Sequence, residues 1–222
     1  IQRIAAEQDI GHFLRVHDGL LSDSLLCLVI HERAASTMCH YEPLFIPGLL
    51  QTEANARAVI NPDGIYLPEE HDFKIAARME RQSVLGGARS PDAAFYIYEA
   101  ALHAVVGDNQ VMHDQMMRLA FMWEWNRVTI RVIPMSRGGH PALMRAFALM
   151  TFGNPISPVA YSETDVATLF TEDRKAVEVY QRKQRALTER ALDAEQSRSV
   201  FAHWADVYDR RGDRDVKGPD LA

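Results

Sequence analysis

The chain has 222 residues, 47% hydrophobic and 24% charged, which is enough for one large globular domain or two small ones, and one compact domain with terminal extensions is favoured. Its formal net charge of −6 argues against a large phosphate-binding surface on this chain. No apolar run approaches the roughly 18 residues of a membrane span, and Cys27 and Cys39 have no paired spacing, so we expect a soluble cytoplasmic protein without a disulfide framework.

The first third of the chain predicts helices. Leucines recur at helical spacing within the first 40 residues, so we expect one or two helices there, with residues 1–24 as an N-terminal helical extension. Residues 48–60 predict the next helix, which begins after a proline and ends at the turn cluster NPDG. A further helix is predicted over residues 68–85, because proline and two glutamates suit its first turn.

The middle of the chain predicts strands. Residues 94–99 are short, aromatic and β-branched, and residues 127–134 alternate apolar with polar side chains, as in half-buried strands. Residues 145–152 and 158–163 predict two more strands, and a helix is predicted over residues 109–124. The short connections favour antiparallel neighbours.

Two helices are predicted to close the domain. Thr171 can cap the first, and Asp193 with Gln196 three residues later resembles a capping box for the second. Residues 209–222 carry almost nothing apolar, which predicts a mobile tail after a domain spanning residues 25–208. The fold class that follows is α+β, with helices flanking a small antiparallel sheet of about four or five strands rather than a doubly wound parallel sheet.

Motifs for catalysis and metal binding are missing from the sequence. Its nine histidines form neither HExxH nor HxxxH, and there is no GxSxG elbow, phosphate-binding glycine loop or dinucleotide fingerprint. We therefore predict no metal, no cofactor and no catalytic residue.

One loop, residues 134–147, carries residues suited to an anionic group. Gly138 and Gly139 permit positive φ, while Arg137, His140 and Arg145 could present cations. The alternative interpretation is a long hairpin loop in which these residues serve geometry alone.

Two glutamates, Glu99 and Glu163, end predicted strands. Either could be the buried partner of an arginine such as Arg57, Arg78 or Arg81. A structural salt-bridge network is favoured over acid–base catalysis, because nothing in the sequence positions a substrate.

Several ordered blocks resemble one known family. They are IHERAASTMCHYEPLFIPGLLQTEANARAVI, RMERQSVL, YIYEAALHAVVGDNQVMHDQMMRL, VTIRVIPMSRGGHPALMRAFALMTF and VAYSET. In this order and spacing they resemble the C-terminal domain of unknown function in actinobacterial Xre-type helix-turn-helix transcriptional regulators, the WhiJ-like family, over about residues 25–205.

The resemblance implies the regulatory and assembly half of a transcription regulator. Such a domain is expected to receive a signal, often from a small protein encoded nearby, and to form a dimer. The positions that match the family's blocks are Pro47, Gly48, Leu49, Leu50, Gln51, Thr52, Arg57, Arg78, Arg81, Gln82, Glu99, Gly107, Gln115, Pro134, Gly138, His140, Phe147 and Glu163. The candidate ligand-binding or partner-binding residues are Arg57, Arg78, Arg81, Gln82, Glu99, Arg137, His140, Arg145 and Glu163.

The sequence departs from the family at its beginning. Only about 25 residues precede the shared blocks, and they do not show the helix, turn and recognition helix of a DNA-binding module. We therefore expect DNA contact only through a helix-turn-helix outside this sequence. Two alternatives stay open: a small-ligand-binding or enzymatic domain with a pocket at the 134–147 loop, and a stand-alone partner that titrates a full-length regulator.

Overall fold

The computed structural model describes residues 12–16, 23–60, 64–164 and 166–216. Within them the chain forms seven strands and seven helices, linked by short 3-10 turns. In chain order these are β1 (His12–Val16), α1 (Asp23–Ala34), β2 (Thr37–Glu42), α2 (Glu53–Ile60), α3 (Pro68–Arg81), β3 (Asp92–Tyr98), α4 (Ala100–His103), α5 (Asn109–Phe121), β4 (Val128–Ile133), β5 (Phe147–Thr151), β6 (Val159–Glu163), β7 (Ala167–Thr171), α6 (Arg174–Arg190) and α7 (Ala194–Val216).

The strands form one mixed sheet in the order β1-β7-β6-β5-β2-β3-β4. The pairs β2–β3 and β3–β4 are parallel, and the other four pairs are antiparallel. Helices α2 and α3 connect β2 to β3, and α4 and α5 connect β3 to β4, as parallel neighbours require long crossovers. The sheet therefore has a parallel edge and an antiparallel edge that meet at β2.

Both faces of the sheet are covered by helices. On one face, Met38, Phe95 and Met150 belong to a core shared with α5 and α7. On the other, Tyr41 and Leu149 pack in a second core against α6. Side chains alternate between faces along a strand, so consecutive residues of β2 serve different cores. None of the helices within the described residues combines the length and apolar character needed to cross a membrane.

The prediction of four or five antiparallel strands is wrong in number and in pairing. The sheet has seven strands, and two of its pairings are parallel. The β2 strand was not predicted, because it is buried on both faces. Four consecutive residues of its six are buried, so it lacks the exposed polar face of a half-buried strand. Because β2 is not predicted from the sequence, the helices α2 and α3 are expected before the sheet, whereas in the structure they connect β2 to β3.

The predicted terminal segments also differ from the structure. Part of the expected helical extension over residues 1–24 is the strand β1, and residues 1–11 and 17–22 lie outside the described residues. The expected mobile tail from residue 209 begins as the last two turns of α7, which continues to Val216; residues 217–222 are outside the described part.

Two of the predicted helix starts after residue 64 are confirmed. The α3 helix starts at Pro68, and Asp193 and Gln196 exchange the two hydrogen bonds of a capping box at α7. The cap of α6 is Asp173, which accepts from the backbone N–H of Ala176, rather than the predicted Thr171. Thr171 instead ends β7.

Candidate functional site

The segment from Ile46 to Thr52 joins β2 to α2 and is irregular. A 3-10 turn covers Gly48–Leu50, and the chain is extended at Gln51 before α2 begins. Leu49 and Leu50 are fully buried, so their backbone polar groups need partners inside the protein. The predicted continuous helix over 48–60 is therefore broken near residue 51.

Side chains from other elements satisfy this backbone. Gln82 donates to the carbonyls of Gly48 and Gln51 at 3.0 and 2.8 Å. The carbonyl of Leu50 accepts from Gln115 and from Arg118, both at 3.0 Å. Because a buried carbonyl without a partner is costly, these amides and the guanidinium fix the path of the segment.

The same network reaches Arg78 on α3. Arg118 donates to Gln82 at 2.8 Å, and Arg78 donates to the Gln51 side chain at 2.8 Å. Gln51 is 1% exposed and donates in turn to the carbonyl of Ile46. Arg78 is thus held by the neutral, buried amide of Gln51.

An ion pair lies beside Arg78. Arg81 donates from Nε and Nη2 to both oxygens of Glu32 at 2.7 and 2.6 Å, and the two side chains are 12% and 1% exposed. Burial alone would lower the pKa of Arg81, but attraction and hydrogen bonds from Glu32 raise it above its usual value. Glu32 therefore neutralises Arg81, and a bidentate geometry fixes both groups.

His40 borders this pair. Its Nε2 lies 3.7 Å from a Glu32 oxygen, and its ring stacks on Phe95 with centroids 5.3 Å apart. Burial, with a smaller effect from Arg81, lowers its pKa to about 4 against the attraction of Glu32, so the ring is neutral near pH 7. Nε2 is buried and has no hydrogen-bond partner among the described residues.

A cavity of about 270 Å³ opens where these elements meet. It lies between α3, the segment after β2, and the adjacent ends of β2, β5 and β6. Its polar walls are formed by His40, Glu42, Gln51, Arg78, Arg81, Tyr161, Ser162 and Glu163, and its apolar walls include Leu28, Phe45, Ile46, Val59, Phe147 and Ala148.

Basic and acidic residues of the cavity come from different elements. Arg78 and Arg81 come from α3, whereas Glu42 and Glu163 end the strands β2 and β6. Burial, followed by repulsion from Glu163, raises the pKa of Glu42 to about 7, although both arginines oppose this. Burial and then Arg81 lower the pKa of Arg78 to about 10, against the attraction of Glu163 and Glu42. The acidic and basic groups of the cavity thus attract one another.

Tyr161 adds a hydroxyl beside Glu163. It donates to Glu163 at 2.9 Å, and its ring packs on Phe170. Burial, followed by the Glu163 carboxylate, raises the pKa of this hydroxyl. The group stays protonated at physiological pH and orients the carboxylate.

The structure brings together four of the sequence-predicted residues. Arg78, Arg81 and Glu163 line the cavity, and Gln82 supports its loop. The prediction that a strand-end glutamate pairs with an arginine is wrong for Arg81, which pairs with Glu32 on α1.

The other arginine, Arg57, lies elsewhere. Its guanidinium pairs with Glu53 and Asp72 on the outside of α2 and α3, and all three side chains are well exposed. It therefore joins two surface helices and does not line the cavity.

The charged residues of the 134–147 loop also stay outside the cavity. His140 caps a 3-10 turn by accepting from the Ala142 N–H, and Glu99 accepts from the Met135 N–H. Arg137 and Arg145 are exposed. The cavity therefore meets this loop at the loop's last residues, Ala146 and Phe147, and not at its charged residues.

Sequence reasoning missed Glu32, His40 and Glu42. A signal for Glu32 exists: it follows Leu28 by four residues and precedes Ala35 by three, so it lies on the buried stripe of α1. His40 and Glu42 lie two residues apart, so they share one face of β2 once it is recognised as a strand. No group of three His, Cys, Asp or Glu side chains in the described part of the chain is placed to hold a metal ion.

Two solved structures show distant similarity to this chain. The chain is similar to Nuc, a phospholipase D family member from Salmonella typhimurium, with 10% identity, a TM-score of 0.43, and coverage of 82% of this chain and 97% of Nuc. It is also similar to TrmBL2, an archaeal chromatin protein, with 10% identity, a TM-score of 0.37, and coverage of 86% and 57%. No curated protein matches the sequence significantly.

Residues 26–203 match a sequence family described as Domain of unknown function (DUF5753). The match covers most of the chain and contains every residue of the cavity wall. The chain therefore belongs to this family.

Proposed function

We propose that this member of the DUF5753 family is the signal-receiving domain of a transcription regulator, and that the cavity beside Arg78 receives the signal. The resemblance of its ordered blocks to helix-turn-helix regulators supports the regulatory role. One structural observation supports the cavity: Arg78 lines it while the described residues give this guanidinium a single hydrogen-bond partner, the neutral amide of Gln51.

A guanidinium has five N–H donors, so such a side chain retains capacity for a ligand. Its orientation is already fixed by Gln51, Gln82 and Arg118, so little order is lost when a ligand binds. Pockets with apolar walls and a few fixed polar groups are the usual form of small-molecule sites. The cavity is smaller than the roughly 300–1,000 Å³ of typical drug-sized pockets, which favours a compact ligand.

The segment 46–52 can transmit a structural change from the cavity to α5. Ile46, Gly48 and Gln51 line the cavity, and the carbonyl of Leu50 is bound by side chains of α5. A ligand that displaces Gln51 from Arg78 would shift a segment directly bonded to α5. We infer that α5, which packs against α7 in the larger core, carries this change.

Ligand retention tests the proposal. The purified chain is exposed to deproteinised bacterial extract, desalted and weighed by native mass spectrometry. We expect a retained small molecule with the wild type and with Arg57→Gln, which alters an exposed arginine outside the cavity, and its loss with Arg78→Gln. Retention that survives Arg78→Gln, or no retained molecule at all, would contradict the proposed receiving site.

Contact with DNA, a small protein partner and dimer formation remain predictions from the resemblance. Light scattering coupled to size exclusion measures the oligomeric state of this chain directly. A mass near twice the 25.1 kDa of the chain is the result expected for a dimer, whereas a mass near 25.1 kDa at all concentrations would contradict it.

A further inference from the structure

The charges around the cavity indicate the class of ligand, and this inference rests on the proposed receiving function. Within the described residues, the ionisable groups that line the cavity are two arginines, two glutamates, one histidine and one tyrosine. Burial lowers the pKa of His40 to about 4 and raises that of Tyr161, so both are uncharged near pH 7. The charges to be considered are therefore those of the arginines and glutamates.

These charges balance one another. Arg81 donates two hydrogen bonds to the buried Glu32, which lies behind the cavity lining. Glu163 and Glu42 attract Arg78, and both arginines attract Glu42. Because the pKa of Glu42 is raised to about 7, this carboxyl is only partly ionised near pH 7, and the two arginines nearly cancel the three glutamates. The cavity thus has little net charge to offer a ligand.

A charged ligand fits such a cavity poorly. An ion loses its hydration when it enters a partly buried site, and it recovers this cost only from an opposite charge that is available to it. An anion at Arg78 competes with the glutamates that already attract this guanidinium. A cation at Glu42 competes in the same way with the arginines, and a zwitterion faces both competitions.

The cavity does have hydrogen-bonding capacity for an uncharged ligand. Arg78 has five N–H donors, and the described residues provide it with one hydrogen-bond partner, the side chain of Gln51. The hydroxyls of Tyr161 and Ser162 donate within the protein, so their oxygens keep lone pairs that can accept from a ligand. These groups favour a ligand that carries a carbonyl or hydroxyl group.

We propose that the cavity binds a compact molecule without charged groups, whose carbonyl or hydroxyl oxygen accepts a hydrogen bond from Arg78. The apolar part of this molecule packs against Phe45, Ile46 and Val59, which line the same cavity. The volume of about 270 Å³ limits the ligand to a small molecule.

Treatment of the bacterial extract with a mixed-bed ion exchanger tests the charge of the ligand. This resin removes anions, cations and zwitterions and leaves uncharged molecules in solution, and unfunctionalised polystyrene beads control for adsorption. We expect the wild type and Arg57→Gln to retain the same molecule, in similar amount, from treated and untreated extract. Arg78→Gln should retain it from neither.

The two ways of failing are distinguishable. A ligand that the mixed bed removes and the uncharged beads do not would overturn the uncharged class, while the receiving function would stand. If untreated extract supplies no ligand whose retention depends on Arg78, the receiving function is contradicted and this inference falls with it.

Three probes of similar shape test the same point with defined compounds. Isovaleramide is uncharged, whereas isovalerate is an anion and isoamylamine is a cation at pH 7. In ligand-observed NMR titrations of the wild type, we expect the amide to bind at least about 10-fold more tightly than either ion, because an ion is desolvated without gaining an available opposite charge. Equal or tighter binding of either ion would overturn the proposal.

The variant Glu163→Gln tests whether charge balance excludes anions. Removing one of the carboxylates that attract Arg78 should strengthen isovalerate binding by at least about 3-fold and leave isovaleramide binding nearly unchanged. Glu163 is exposed, so this variant is informative even if Arg78→Gln folds poorly. Unchanged isovalerate binding in Glu163→Gln, or the same gain in the control Glu53→Gln, would contradict the charge balance on which the proposal rests.

Discussion

Replacing Glu32 by glutamine removes the carboxylate of the buried pair and leaves Arg81 charged. Glu32 is 0% exposed and accepts two hydrogen bonds from Arg81 at 2.7 and 2.6 Å. Breaking one partner of a buried ion pair costs about 3–5 kcal/mol, because the remaining charge stays desolvated. His40 cannot replace the missing interaction, since its neutral ring supplies no negative charge.

The loss is large relative to the roughly 5–15 kcal/mol that stabilise a typical folded protein. Urea unfolding followed by circular dichroism should show a midpoint lower by about 1–2 M for Glu32→Gln, given a slope of about 2–3 kcal/mol per molar urea. The matched control Glu53→Gln removes a carboxylate from the exposed Arg57 pair and should leave the midpoint nearly unchanged.

The double variant Glu32→Leu with Arg81→Met tests the physical reason. Replacing both charges by apolar groups is often neutral or stabilising, so most of the lost stability should return. A cost below about 1 kcal/mol for Glu32→Gln, or a double variant that is less stable than the single one, would refute the reasoning.

Three further predictions concern other parts of the structure. A raised pKa of Glu42 stabilises the folded protein below the ordinary carboxyl pKa of 4.5, and this contribution is lost as the pH rises through about 7. Glu42→Gln should therefore gain up to about 3 kcal/mol over the wild type between pH 4 and 8, measured by urea unfolding; a constant difference would contradict the shift. Gly138→Ala should cost about 1–3 kcal/mol because φ is +72° there, whereas Gly139→Ala next to it should be nearly neutral; equal thermal unfolding of the two would exclude backbone strain. Iodoacetamide should alkylate the half-buried Cys27 well before Cys39, whose pKa burial raises to about 12, and peptide mass spectrometry that finds Cys39 modified first would disprove this.

Local patterns predicted the elements that carry their own signals. The α3 helix has a proline and carboxylates in its first turn, and α7 has a capping box, so both starts could be identified. Strands β3 and β4 lie where the aromatic run and the alternation place them. Each of these features depends on residues within a few positions of one another.

The missed features depend on distant partners. Buried on both faces, β2 has no alternation, and its neighbours β3 and β5 are set by pairing across long stretches of chain. The predicted helix over 48–60 breaks because Gln82, Gln115 and Arg118 supply partners for its first backbone groups. The hydrophobic periodicity of the sequence does not reveal contacts between residues that are far apart in the chain.

The candidate site was likewise predicted only in part, because some of its features depend on distant partners. Arg78, Arg81 and Glu163 were selected because they match the family's blocks and because a strand-end glutamate could pair with an arginine, and all three line the cavity. Their geometry could not be predicted, because Glu32 comes from α1 and Glu42 from a strand that the sequence does not reveal.

The crystal structure of the chain bound to the molecule that it retains from extract tests the central claim most directly. The account predicts ligand density between α3 and the ends of β2 and β6, within hydrogen-bond distance of the Arg78 guanidinium. Density on the 134–147 loop or elsewhere, with the Arg78 cavity unchanged, would contradict the claim that this cavity receives the signal.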